Sequence, residues 1–251
     1  MNCFWKVKPM NDSFYGYAEE FLKRQPDYIP AKNRFHQVMA DYMEMAVRRQ
    51  ILRLQVITPP QHGKSTFLAL AASYELGMYP HHCVGWFAHA GRLTLRDSMS
   101  TQRAVSSDIF ARRFGQFELL SKGQESWGLK WAGGLRQKSF VAAPIISGGT
   151  GQTLDLACCD DMLSGYNDAW SEANRDRAKN GFFSGVLTRG SKDYSIISIG
   201  TRWHESDVIG AWIESAKNSA NAVPLTVLTI PYDSKATVWD SQSDQLRKVR
   251  L

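Results

Sequence analysis

Apolar positions along the chain follow two alternating rhythms. Residues 33–50 (NRFHQVMADYMEMAVRRQ) carry Phe35, Val38, Met39, Tyr42, Met45 and Ala46 at helical spacing. Residues 51–57 (ILRLQVI) then read as a strand. TPPQHGKST follows, and Phe67 to Tyr79 read as a mostly buried helix. A second strand fits Cys83 to Ala88, and one long helix fits Arg92 to Phe114. Strands are predicted again at 138–146 (KSFVAAPII), 154–159 (LDLACC), 195–199 (SIISI) and 224–230 (PLTVLTI). Helices are predicted near Ser171–Phe183 and Ser206–Lys217. Strands alternating with helices predict an α/β domain with a mainly parallel central sheet flanked by helices.

The same pattern divides the chain. Residues 1–32 are aromatic and punctuated by proline, and read as a packed N-terminal arm. Residues 33–230 read as one domain. Residues 231–251 lose apolar periodicity and read as a linker, whose acids Asp233, Asp240 and Asp244 have no strand to organise them. Repeats and low-complexity blocks are absent from the sequence.

With 43% hydrophobic and 22% charged residues among 251, the chain has an ordinary globular composition, which argues against disorder over most of its length. The net charge of +6 favours polyanionic partners such as nucleic acid, although a mildly basic enzyme would look the same. Cys3, Cys83, Cys158 and Cys159 show no metal-ligand spacing. The adjacent pair lies in an apolar run and reads as buried thiols, which suits a reducing cytoplasm. The first residues lack the apolar core of a signal peptide, and no apolar run reaches membrane-spanning length.

Candidate chemistry gathers at three strand ends. Gly63-Lys64-Ser65 stands between an apolar strand and an apolar helix. There, backbone N–H groups at the positive end of a helix dipole can cradle phosphate. Lysine adds a charge for the terminal phosphates, and the following hydroxyl can ligate Mg²⁺. The full P-loop pattern has glycine five residues earlier, where this chain has Thr58, followed by Pro59 and Pro60. Asp160-Asp161 ends the strand 154–159. Of two such acids, the first can hold Mg²⁺ and the second can orient and deprotonate an attacking water. Gly200-Thr201-Arg202-Trp203-His204 follows a third strand, where a polar residue can sense the γ-phosphate or the water. Open α/β sheets place ligands at the carboxyl ends of their strands, so the three segments converge. Taken singly, each has a plain structural reading as a turn, a strand end or a cap. His81-His82 and His89 have no matching carboxylates or thiols and read as surface or capping residues.

PPQHGKS, LACCDD and IGTRWHESDVIG, in that order, resemble segments of the large terminase subunits of tailed bacteriophages over roughly residues 33–230. The resemblance implies a RecA-like P-loop NTPase fold and ATP hydrolysis with Mg²⁺, which would drive double-stranded DNA into a viral procapsid. It implies that Gln61, His62, Gly63, Lys64, Ser65 and Thr66 form the phosphate loop, with Gln37 near the base. Ser65 and Asp160 would hold Mg²⁺. Asp161 would act on water, at a position where members of that family often have Glu. Thr201 and Arg202 would couple hydrolysis to movement.

The partners implied are DNA, the portal protein of the procapsid, a small terminase subunit and further copies of the chain assembled on the portal, in the host cytoplasm. A C-terminal nuclease domain would follow the linker, so nuclease activity is not expected of these residues. Relatives often carry an arginine just before the acidic strand, where this chain has Gln152. The arginine that completes a neighbour's site is therefore unassigned among Arg92, Arg96, Arg136, Arg175 and Arg177. The rival readings are a helicase-like or DNA-remodelling ATPase, and a non-catalytic DNA- or capsid-docking module with a degenerate P-loop.

Overall fold

A computed structural model describes residues 13–24, 35–147, 151–218, 223–231 and 235–249. The N-terminal arm expected over 1–32 falls largely outside these residues, as do Cys3, Asp233 and the middle of the SGGTGQ turn.

In chain order, α1 (Phe14–Leu22) and α2 (Phe35–Val47) lead into β1 (Arg53–Ile57), α3 (Lys64–Met78) and β2 (Val84–Ala88). Next come α4 (Gly91–Val105), α5 (Asp108–Phe114), β3 (Phe117–Leu119), β4 (Ser126–Trp131) and β5 (Gly134–Pro144). The chain continues through β6 (Leu154–Asp160), α6 (Tyr166–Trp170), α7 (Glu172–Asn180), β7 (Gly190–Gly200) and α8 (Val208–Asn218). It ends with β8 (Leu225–Thr229), β9 (Thr237–Asp240) and β10 (Gln245–Lys248).

The strands form one sheet in the order β10-β9-β8-β1-β7-β6-β2-β5-β4-β3. The six strands from β8 to β5 are parallel. An antiparallel extension closes each side: β9 and β10 beyond β8, and β4 and β3 beyond β5. Helices cover both faces. One core joins α1, α2, α3, α4 and α5 to Leu54, Val56, Val84, Trp86, Leu156, Cys158, Ile197 and Ile199. The other joins α6, α7 and α8 to Phe87, Ala157, Cys159, Ile196, Leu225 and Val227. Strand neighbours alternate between the two cores because successive side chains point to opposite faces. Burial on both faces is what gives the parallel strands their continuous apolar runs.

Four expectations need correction. The helix expected over Arg92–Phe114 is two helices. Ser107 caps the second by accepting from the Phe110 amide, and Asp108 adds negative charge to its first turn. The helix expected from Ser171 ends as an α-helix at Asn180 and runs on as a wider π-helical turn over Gly181–Val186. Here Gly181 packs so closely on the Ile145 carbonyl that a β-carbon would collide with it. Of the strand expected at 138–146, residues 138–144 end a longer β5, paired with a β4 that the sequence did not reveal, and Ile145–Ser147 form a 3₁₀ turn. Finally, residues 237–248 are not a structureless linker. They form the β9–β10 hairpin, in which the Asp240 carboxylate accepts the Gln242 and Ser243 amides and Asp244 accepts the Trp239 indole N–H.

Candidate nucleotide site

The parallel strands deliver the three singled-out segments to one edge. β7 lies between β1 and β6, with Ile57 beside Gly200 and Asp160 beside Ile199. The carboxyl ends of three adjacent strands therefore carry Thr58, Thr201 and the Asp160-Asp161 pair.

The loop after β1 turns through two left-handed residues, Gln61 (φ 63°) and Gly63 (φ 72°). At Gly63 the missing β-carbon allows a conformation that side chains resist. Helix α3 starts at Lys64, three residues before the expected start, and no side chain caps its amino end. Its first N–H groups have no intrahelical partner and aim positive charge into the loop. Thr58 stands where the full pattern has glycine. It continues the ladder instead, donating its amide to the Gly200 carbonyl at 3.3 Å and accepting the Thr201 hydroxyl at 3.2 Å on its own carbonyl.

Lys64 points inward and is 7% exposed. Its Nζ lies 3.1 Å from Asp161 Oδ2 and donates to Thr201 Oγ1 at 3.3 Å. Asp161 has φ 41°, a left-handed conformation that aspartate and asparagine tolerate better than most residues. A cavity of about 20 Å³ beside it, bordered by Gly200, Thr201, Trp203 and Asp207, has room for a water molecule.

Asp160 is buried and one of its oxygens, Oδ1, has no partner. Burial pushes its carboxyl up to about 7, against a lowering hydrogen bond from Ser65. A buried carboxylate with an open oxygen, bonded to the first hydroxyl of the loop helix, suits Mg²⁺. No cluster of three His, Cys, Asp or Glu among the described residues could cage a metal.

The structure thus gathers Gly63, Lys64, Ser65, Asp160, Asp161 and Thr201. Gln61 and Thr66 are exposed on the loop and first turn, and His62 bonds through Nδ1 to the Pro60 carbonyl. Gln37 is exposed on α2. Its neighbour His36 is the one that meets the loop, with Nε2 3.2 Å from the His62 carbonyl and the ring stacked on Phe67. Burial lowers the His36 pKa.

Arg202 turns into its own loop. It donates to the carbonyls of His204 and Glu205 and lies 3.3 Å from the buried Asp207. His89, which reads from sequence as a surface residue, bonds to the backbone of Asp161. Of the candidate arginines, Arg96 comes within 4.0 Å of Asp160. Arg136 bonds to the His81 carbonyl, and Arg175 bonds to the Ala169 carbonyl. No sequence pattern marked His36 or tied His89 to Asp161, because these contacts are set by packing between elements far apart in the chain.

A Gly-Lys-Ser loop after β1 and an acid-ended strand one strand removed, on a mainly parallel sheet covered on both faces, are consistent with a RecA-like P-loop α/β fold. No family model and no curated protein matches the chain. Among solved structures it is similar to the ATPase domain of the large terminase of Thermus phage P74-26, determined as an arginine-to-alanine mutant. The two share 18% sequence identity over 72% of this chain and 67% of that chain, with a TM-score of 0.43. Among the described residues no helix is long and apolar enough to cross a membrane.

Proposed function

We propose that the chain binds and hydrolyses ATP with Mg²⁺. The observation that carries this reading is the placement of Lys64. It sits at the uncapped start of α3, within 3.3 Å of both Asp161 and Thr201, beside the buried Asp160. An inward lysine already in contact with a carboxylate and a hydroxyl can exchange those partners for phosphate oxygens. The amides that open α3 receive the same phosphates.

A Mg²⁺ ion bound with the nucleotide would supply charge stabilisation for phosphoryl transfer. Ser65 and Asp160 are the residues to hold it. Asp161, released from Lys64, orients a water and takes its proton. Thr201 ties the tip of β7 to the loop through the Thr58 carbonyl, so a change at the phosphates reaches the segment 201–207 directly. Arg202 shapes that segment rather than touching the nucleotide.

The finer reading is a genome-packaging motor that couples hydrolysis to movement of double-stranded DNA into a procapsid, with portal protein, small terminase and further copies of the chain as partners. It is supported by the order and content of the GKS, DD and TRWHE segments and by the net charge of +6. Phosphate release from Mg-ATP, measured for wild type and Lys64→Ala with and without DNA, tests both levels. Equal release by wild type and Lys64→Ala overturns the ATPase reading. Hydrolysis indifferent to DNA and to portal overturns the motor.

A further inference from the structure

The two acids of the site share two cations, and the shortest approach to each acid comes from a different one. Asp161 has Lys64. Asp160 has Arg96, from α4, whose Nη2 lies 4.0 Å from Asp160 Oδ2. Arg96 is held where it is by Asp97, the next residue. Its Nε donates to Asp97 Oδ1 at 2.7 Å and its Nη2 to Asp97 Oδ2 at 3.0 Å. Asp97 is itself 4% exposed, so this two-pronged pair is anchored at its carboxylate end. The arginine side chain is 54% exposed, and its guanidinium bridges the buried acids and the open site.

We propose that Arg96 is the countercharge of Asp160 in the nucleotide-free protein, and that it competes with divalent cations for that carboxylate. The inference rests on the nucleotide-site reading above. A divalent ion at Asp160 would lie a few ångströms from a guanidinium that cannot withdraw freely, because Asp97 grips both of its prongs. Bare metal is therefore disfavoured. A triphosphate changes the balance by bringing its own negative charge beside the fixed, half-exposed guanidinium, which offsets the repulsion between Arg96 and an ion at Asp160. Arg96 is in this sense a positioning residue. It acts through Asp160 and makes metal loading depend on nucleotide.

The test is Mn²⁺ binding to the whole chain without nucleotide, followed by calorimetry and by electron paramagnetic resonance of the free ion. Taking away a fixed like charge beside the ion should tighten binding by roughly ten-fold in Arg96→Gln. Arg96→Lys keeps the charge and should stay close to wild type. Asp160→Asn on the Arg96→Gln background should abolish the gain. Equal Mn²⁺ affinity in wild type and Arg96→Gln, undetectable binding in both, or a gain that survives Asp160→Asn overturns the proposal. Arg96 is half-exposed, so Arg96→Gln should retain a cooperative melt; if it does not, the comparison of Arg96→Lys with an Arg96→Met variant decides on the same criterion. Fluorescent ATP binding to wild type and Lys64→Ala, run alongside, isolates the underlying reading. Its failure there leaves the nucleotide-free Mn²⁺ comparison standing as measured.

Discussion

The Asp161 carbonyl receives two hydrogen bonds from His89, one from the backbone amide at 3.3 Å and one from Nδ1 at 2.8 Å. A carbonyl only accepts, so the Nδ1 proton is fixed on that side of the ring. The clamp ties the end of β2 to the acid that follows β6 and holds Asp161 at φ 41°. Left-handed backbone costs a residue with a β-carbon about 1–2 kcal/mol, and the cost is least where a short polar side chain can bond locally. Glutamate therefore fits less well here than aspartate, although the resembling family often has it.

Asp161→Asn should keep this backbone and bind nucleotide normally, while hydrolysis falls by ~10²-fold, the worth of a positioned general base. Asp161→Glu should lower the melting temperature more than Asp161→Asn does. Single-turnover phosphate release and thermal melts check the two halves. A glutamate variant as stable as wild type would contradict the backbone argument.

Asp160→Asn should change stability in a pH-dependent way. Burial raises the folded carboxyl to about 7, above its ordinary value of 3.8. The folded protein therefore holds a proton that the unfolded chain releases, and stability falls as pH rises from about 4 through 7. Asparagine removes that loss. The variant should be more stable than wild type at pH 8 without metal, by on the order of 2 kcal/mol or more, since a tenfold change in acidity is worth about 1.4 kcal/mol. Near pH 4 the advantage should vanish. Urea titrations at the two pH values decide it, and an advantage independent of pH would refute the linkage.

Thr201→Val preserves shape but removes the hydroxyl that serves Lys64 and the Thr58 carbonyl. A loss of roughly 0.5–1.5 kcal/mol is expected from the missing hydrogen bonds. Turnover should slow more than nucleotide binding weakens, and Thr201→Ser should restore both. Stopped-flow binding set beside steady-state kcat separates the effects. A defect confined to binding would place Thr201 on the ground-state nucleotide alone.

Arg202→Ala should destabilise the segment 202–207 without lowering nucleotide affinity. It strips the buried Asp207 of its nearby cation, a change worth about 1–3 kcal/mol for a buried charged group. Arg202→Lys should rescue poorly, because one ammonium cannot match the guanidinium fork that reaches two carbonyls and a carboxylate. Hydrogen exchange over 202–210, with ADP titration as the control, is the measurement. Weakened ADP binding with unaltered exchange would show that Arg202 works on the nucleotide directly.

The site's skeleton was legible because parallel strands covered on both faces write themselves as apolar runs. ILRLQVI, LDLACC and SIISI are followed within two residues by Thr58, Asp160 and Thr201. The antiparallel extensions were not legible. β10 is exposed throughout and shows no apolar rhythm, and β5 begins exposed, so only its buried second half was legible as a strand. The break between α4 and α5 was available in principle, as Ser107-Asp108 before Ile109-Phe110 is a helix start. The direction of Arg202 was not, since the string TRWHE does not say whether the guanidinium turns toward the nucleotide or back onto its own loop.

Cys158 and Cys159 are adjacent on the acid strand, yet one packs into the core beneath α1–α5 and the other into the core beneath α6–α8. Both are fully buried, and burial pushes both thiols well above their ordinary range, which leaves them unreactive while the layers stay closed. The molecule therefore carries an intrinsic pair of chemical probes, one per layer, directly behind the acids. Alkylation of one thiol without the other would report which side of the sheet opens first, and adding nucleotide would show which layer the ligand locks.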